Sequence, residues 1–315
     1  MKYYAGLDLG GTFVKCGIVD EEGNILIKDK IPTGKERPFE AIAADMAAFV
    51  KTLAERAGVE VTAVGIGSPG TIDSKNGTIV YANNLGWKKV SLAKEIKKHL
   101  GIPVALTNDA NAAALGEQFC GAGKAYQSLV LVTLGTGVGA GVVLDGQLFE
   151  GFRSAGTEIG HEVIRVGGEK CTCGRRGCFE AYSSATALIR QTKRAMEKNP
   201  ESALWKVAGT LDNVDGKTAF DGAELGDPTA KRVVNNYIRY LAEGITNIVN
   251  SYRPEAVLLG GGVCAQGDTL LLPLKRMVAR RAYGGMRYAP VAIGVASLGN
   301  DAGLCGAARL AMLKF

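Results

Sequence analysis

The chain has 315 residues, 47% of them apolar, which exceeds what one hydrophobic core ordinarily holds and predicts two lobes. Its formal charge of +6 is spread along the sequence with no run of five basic residues, which argues against a nucleic-acid partner and suits a solvated surface that accepts an anionic nucleotide. No apolar stretch reaches the roughly 18 residues a membrane span needs, and Met1-Lys2-Tyr3-Tyr4 carries no leader pattern, so a cytoplasmic protein with no membrane partner is expected.

Tyr3 to Leu9 alternates as a strand and breaks at Gly10-Gly11-Thr12. FVKCGIVD then resumes as a second strand and EEGN makes a turn, giving one hairpin followed by another. Residues 36 to 57 place Phe39, Ile42, Ala43, Met46, Phe49, Val50 and Leu53 at helical spacing, with Gly58 as the glycine that ends the helix. Val61 to Ile66 reads as a short buried strand, and NDANAAALGE as the start of an alanine-rich helix. The block from 129 to 148, LVLVTLGTGVGAGVVLDGQL, repeats the opening layout of apolar strand, Gly-Thr turn and apolar strand. Thr12 lies eight residues before Asp20 and Thr136 nine before Asp145, which we read as an internal duplication. A third glycine turn follows an apolar run in VLLGGGV, residues 257 to 263. Ser184 to Tyr252 is patterned as helix, and NDAGLCGAARLAML closes the chain as one more.

A strand, glycine turn and strand aims several backbone N–H groups at one point, and such a nest binds phosphate oxygens without a lysine. The turns at Gly10-Gly11-Thr12, Gly135-Thr136-Gly137 and Gly260-Gly261-Gly262 are therefore candidate nucleotide contacts. Asp8 is placed to reach a hydrated Mg²⁺ on those phosphates. No G-x-x-x-x-G-K-[ST] occurs. The one G-x-G-x-x-G, at Gly65, Gly67 and Gly70, contains Pro69 and is followed by TIDSKNG where a helix should open, so a dinucleotide-binding reading fails on context.

The strongest local signal is CTCGRRGC. Cys171, Cys173 and Cys178, with His161 ten residues upstream, supply three thiolates and an imidazole for a closed, four-coordinate structural Zn²⁺ site. The other four cysteines, Cys16, Cys120, Cys264 and Cys305, are isolated in apolar segments, which fits a reducing compartment rather than a disulfide framework. Sugar hydroxyls are read by carboxylates and amides. Glu158 precedes His161 by three residues and shares a helical turn with it, while Glu180 lies two residues past the last zinc cysteine. Asn108-Asp109 opens the alanine-rich helix, where spacing alone favours Asp109 as a cap.

Taken together, DLGGTFVKCGIVD, GIGSPGTID with NLGW, NDANAAALGE, LGTGVGAGVV, AGTEIGHE, CTCGRRGCFE, LLGGGV and NDAGLCGAA resemble, in family order over nearly the whole chain, the ROK family of sugar kinases and repressors. The resemblance implies the actin-like ATPase fold: two α/β lobes, each around a five-stranded mixed sheet, with the active site in a cleft and the last helix returning to the first lobe. On that reading residues 1–118 with 300–315 form the first lobe and 119–299 the second, with the zinc loop at 161–178. Asp109 becomes the catalytic base, Gly70, Asn83, Asn84, Asn108, Glu158, His161 and Glu180 become sugar contacts, and Lys15 joins Asp8 and the three turns at the nucleotide. Only seven residues precede Asp8, so the DNA-binding module of the repressors is expected to be absent. The implied reaction is ATP-dependent phosphorylation of a hexose 6-hydroxyl, with glucose as the sugar and N-acetylmannosamine, allose or fructose as alternatives. A homodimer or homotetramer is implied as the assembly. A sugar-sensing regulator without turnover and a zinc-stapled nucleic-acid binder are the competing classes, opposed by the intact Asp109 and the missing module. Zinc is expected to serve sugar affinity and stability and to leave ATP binding largely intact.

Overall fold

The computed structural model describes all residues, 1–315. The alternation at the N-terminus produces β1 (Tyr3–Leu9), β2 (Phe13–Asp20) and β3 (Ile25–Pro32), followed by α1 (Phe39–Ala57) and β4 (Val61–Ser68). Gly58 ends α1 in the left-handed conformation, its N–H returning to Ala54 and Glu55 carbonyls, as the sequence predicts. Three short strands, β5 (Thr71–Asp73), β6 (Thr78–Ala82) and β7 (Trp87–Val90), make a small antiparallel sheet. Then come α2 (Leu92–Leu100), β8 (Val104–Asn108) and α3 (Asp109–Cys120). The first large sheet has the order β3-β2-β1-β4-β8. β1, β2 and β3 are antiparallel neighbours, and β4 and β8 are added in parallel.

The second half of the chain supplies β9 (Leu129–Leu134), β10 (Val138–Leu144), β11 (Gln147–Phe149), α4 (Glu180–Ser183), α5 (Ala185–Lys198), α6 (Leu204–Ala208) and α7 (Thr218–Glu224). These are followed by α8 (Pro228–Tyr252), β12 (Ala256–Gly260), α9 (Asp268–Arg281), β13 (Ala292–Val295) and α10 (Ala302–Lys314). The second large sheet runs β11-β10-β9-β12-β13. Counted by the strands of each sheet alone, the two orders are identical, so the duplication read from two Gly-Thr turns extends to the whole sheet. The molecule has the duplicated α/β architecture of the actin-like ATPase fold.

By contact the chain divides into two units, Met1–Leu131 with Gly141–Thr157 and Ala296–Phe315, and Val132–Ala140 with Glu158–Val295. The C-terminal helix groups with the first unit. Residues 119–131, 141–157 and 296–299, expected in the second lobe, group with the first unit as well, and two carboxylate knots account for this. The fully buried Glu117 of α3 accepts the N–H groups of Ala122, Ser297 and Leu298 at 2.9, 3.1 and 2.8 Å. Glu150 accepts the Ser74 and Thr107 hydroxyls, both at 2.6 Å.

Within the first unit α10 lies against β1, β4 and α3 at backbone distance. A Cβ on Gly65 would stand 1.7 Å from the Ala307 carbonyl oxygen, so this glycine is required by close approach. β4 runs into the three-residue β5 and not into a helix. The sequence pattern Gly65, Gly67, Gly70 is thus a packing feature, which agrees with the rejection of a dinucleotide fold.

Candidate active site

In the first unit the Gly10-Gly11-Thr12 turn joins β1 to β2. The Gly10 N–H bonds the Phe13 carbonyl at 2.9 Å, which closes the turn. The buried Thr33 holds it from the end of β3: its hydroxyl donates to the Gly10 carbonyl at 2.7 Å and its N–H to the Thr12 carbonyl at 2.9 Å. Asp8 and Lys15 face each other across the β1–β2 ladder and form an ion pair at 3.1 Å. Their side chains keep 22% and 34% of their exposure, so the pair sits at the edge of water, where a hydrated cation and a polyphosphate have access. Gly303 of α10 abuts the same carboxylate, since a Cβ there would lie 3.0 Å from the Asp8 carboxyl carbon.

The β8–α3 junction separates two roles that sequence left merged. Asn108 is the helix cap: its Oδ1 accepts the Ala110 N–H at 2.9 Å, and its Nδ2 donates to the Gly70 carbonyl at 3.2 Å. Asp109 is the first residue inside the helix and is exposed, with Oδ1 2.8 Å from the same Ala110 N–H. The cap reading of Asp109 is therefore corrected, since Asn108 stands at the cap position and supplies the side-chain acceptor there. Behind the junction Thr107 and Asn111 are buried around Glu150, with Asn111 Nδ2 3.4 Å from Oε1. Glu150 and Thr33 support the site and were missed by sequence reasoning, because a single acidic or hydroxyl residue far away in sequence carries no local signal. Asn83 and Asn84 form a short 3₁₀ turn with Leu85. Asn83 accepts the Tyr81 hydroxyl at 3.0 Å, and the Asn84 carbonyl lies beside Gly11.

In the second unit the Gly135-Thr136-Gly137 turn is closed by a Gly135 N–H bond to the Gly137 carbonyl at 3.0 Å. Gly261 rests on β9, a Cβ there falling 2.3 Å from the Leu134 carbonyl oxygen, so the Gly260-Gly261-Gly262 turn shares its support with the Gly135 turn. Glu158 precedes a 3₁₀ turn, Ile159–His161, closed by the His161 N–H to the Glu158 carbonyl at 2.9 Å. This turn packs directly on β10: a Cβ on Gly160 would be 2.0 Å from the Val138 carbonyl oxygen.

The four residues expected at a metal converge. One ligand atom from each of His161, Cys171, Cys173 and Cys178 lies within 4.8 Å of the others. Cys173 and Cys178 sulfurs are 3.7 Å apart, and the Cys171 sulfur is 3.6 Å from His161 Nδ1. A tetrahedron with metal–sulfur bonds of about 2.3 Å has edges near 3.8 Å, so the donor set fits a zinc-sized ion. Burial, and then its two thiol neighbours, push the Cys178 thiol up to about 12. A coordinating metal reverses that preference by binding the thiolate. The loop is polar and exposed from Thr172 to Arg176. It is pinned by the fully buried Phe179, whose N–H bonds the Glu162 carbonyl at 2.8 Å and whose ring lies against Gly244 of α8.

Glu180 is placed differently from a free sugar contact. Its Oε2 accepts the Val138 N–H at 3.0 Å, and its Oε1 accepts the Thr172 hydroxyl at 2.8 Å.

A duplicated α/β fold with a glycine turn after the first strand of each sheet, and a carboxylate at the start of a helix, defines a class of phosphate-handling proteins of actin-like architecture. The ROK family model matches residues 4–314, and the chain belongs to the ROK family. Among curated relatives, the glucokinase of Streptomyces coelicolor is 38% identical over 310 residues, covering 97% of this chain and 96% of that protein. The glucokinase of Thermotoga maritima is 38% identical over 308 residues, with the same coverage. Among solved structures, a ROK family glucokinase from Streptomyces griseus in complex with glucose and AMPPNP superimposes with a TM-score of 0.78 at 36% identity, covering 99% of both chains.

Proposed function

We propose that the protein transfers the γ-phosphoryl group of ATP to the 6-hydroxyl of glucose. The observation that carries this reading is the division of labour at the β8–α3 junction: Asn108 caps the helix, so the exposed Asp109 is not needed as its side-chain cap and can serve as a base. Glucose is chosen over other hexoses because the chain is 38% identical, over nearly full length, to proteins named glucokinase.

In this reading Gly70, Asn83, Asn84, Asn108, Glu158, His161 and Glu180 are the sugar contacts. Asp109 accepts the 6-hydroxyl proton as that oxygen attacks the γ-phosphorus and ADP departs. Phosphoryl transfer asks chiefly for positioning and charge stabilisation. Those fall to the Gly10-Gly11-Thr12, Gly135-Thr136-Gly137 and Gly260-Gly261-Gly262 turns, to Lys15, and to Asp8 acting on the Mg²⁺ of the nucleotide. Zn²⁺ at His161, Cys171, Cys173 and Cys178 supplies a fixed loop and a fixed imidazole orientation.

A coupled assay of ADP release over a panel of hexoses and N-acetylhexosamines tests the proposal. Glucose is expected to give the highest kcat/KM. A higher value for N-acetylmannosamine would reassign the sugar, and no sugar-dependent ADP release from folded protein would reassign the protein to a sensing role.

A further inference from the structure

The segment that follows the metal cysteines grips the second phosphate turn at both ends. On one side Glu180 Oε2 accepts the Val138 N–H at 3.0 Å, at the residue where the turn enters β10. The fit leaves no room for a side chain: a Cβ on Gly137 would stand 2.3 Å from that oxygen. On the other side the Ala185 N–H, at the start of α5, donates to the Gly135 carbonyl at 2.9 Å. Six residues, 180 to 185, thus span the turn like a bracket.

The bracket is steered from the metal loop. The Thr172 hydroxyl, between two metal cysteines, donates to Glu180 Oε1 at 2.8 Å, and the Cys171 sulfur lies 3.5 Å from the same oxygen. A hydroxyl bond to a carboxylate is among the stronger neutral–ionic contacts, and it fixes the carboxylate plane so that Oε2 points at Val138. Cys178 and Phe179, immediately before Glu180, are fully buried and set the position of its backbone.

We propose that Thr172 and Glu180 are positioning residues for the nucleotide: they transmit the order of the metal loop to the Gly135-Thr136-Gly137 turn, so that ATP affinity depends on the metal loop even without sugar. This rests on the reading of that turn as a phosphate site. It departs from the expectation that the metal serves sugar affinity and stability and leaves ATP binding largely intact. A carboxylate has room for about four hydrogen bonds, so Glu180 holds Val138 and Thr172 and still accepts a sugar hydroxyl. One residue then touches sugar, metal loop and phosphate turn.

The test uses the full chain with its metal, and measures the dissociation constant of the non-hydrolysable analogue AMPPNP with Mg²⁺, in the absence of sugar, by titration calorimetry. Thr172→Val removes the hydroxyl and leaves every metal ligand and sugar contact in place. It is expected to weaken AMPPNP about 3- to 10-fold, within the usual net worth of one hydrogen bond because the lost bond reaches the turn only through Glu180, with metal content unchanged. Thr172→Ser, which keeps the hydroxyl, is expected to restore wild-type affinity, an outcome that a general loosening of the loop does not predict. Thr136→Val, in the turn itself, separates the two levels of the argument. Weaker AMPPNP binding by Thr136→Val together with wild-type binding by Thr172→Val overturns the bracket while keeping the turn as a phosphate site. Wild-type binding by both overturns the phosphate reading of the turn and the bracket with it.

Discussion

The two Gly-Thr turns occupy the same place in two sheets of identical strand order, yet they are held by different means. The Gly10 turn is braced from its own sheet: Thr33 lies at the far end of the next hairpin, and Asp8 and Lys15 face each other in the ladder. The Gly135 turn is braced by Glu180, 42 residues beyond Val138 and at the first position of the short α4, directly after the polar metal loop. A strand ladder supplies its own rigidity through repeated backbone bonds, whereas a polar loop needs an external constraint to keep a side chain in one place. Duplication therefore preserved the turn and its place in the sheet and left the support free to diverge. In the second unit that support is a cluster of four metal-ligand atoms.

The largest effect expected lies in the first unit and spares its fold. Asp109→Asn keeps the shape of an exposed side chain and Asn108 keeps the cap, so Tm should hold while kcat falls roughly 10²- to 10⁴-fold, the usual worth of a general base. Sugar binding should persist by calorimetry. Near wild-type kcat would remove Asp109 from the chemistry.

The second unit should fail in the opposite way. Cys178→Ser, or metal removal by a chelator, takes a constraint from a loop that is exposed from Thr172 to Arg176 and anchored by the fully buried Cys178 and Phe179. Loss of a structural metal belongs to the most destabilising class of change, and for a protein of this size each kcal/mol moves Tm by about 2–4 °C. A drop of more than ~5 °C in scanning calorimetry is expected, with the first unit's Asp109 unaltered. Metal analysis of purified protein should return about one zinc per chain, following the four-ligand stoichiometry. An unchanged Tm in protein shown to be metal-free would break the contrast between the two braces.

Asp8→Ala sharpens the same comparison from the nucleotide side. It should raise the Mg²⁺ concentration needed for half-maximal rate by several-fold, because the carboxylate that reaches the hydrated cation is gone and Lys15 is left without its partner. An unchanged Mg²⁺ dependence would assign Asp8 to the ion pair only. The smallest effect belongs to Thr33→Val, which deletes one hydroxyl bond to the Gly10 carbonyl at nearly constant volume. A loss of about 1 kcal/mol in denaturant unfolding is expected, with metal content untouched. A loss above ~3 kcal/mol would mean that the first turn depends on its single brace as heavily as the second does on the metal loop.

The amino-acid sequence by itself determined what is local or periodic. Alternation defined β1, helical spacing and Gly58 defined α1 and its end, and the two Gly-Thr turns announced the duplication that the sheet orders complete. The cysteine spacing with His161 foretold a cluster that the fold assembles. These signals are readable because they depend on the stereochemistry of neighbouring residues, or on a donor set with few other uses. The tertiary structure alone decided which residue caps α3, that Glu117 and Glu150 tie residues 119–131, 141–157 and 296–298 to the first unit, and that Glu180 spans from the Thr172 hydroxyl to the Val138 N–H. Apart from the cap, each of these is a carboxylate whose partners include groups from tens of residues away. Such a meeting is fixed by the packing of whole elements, and no spacing in the chain encodes it.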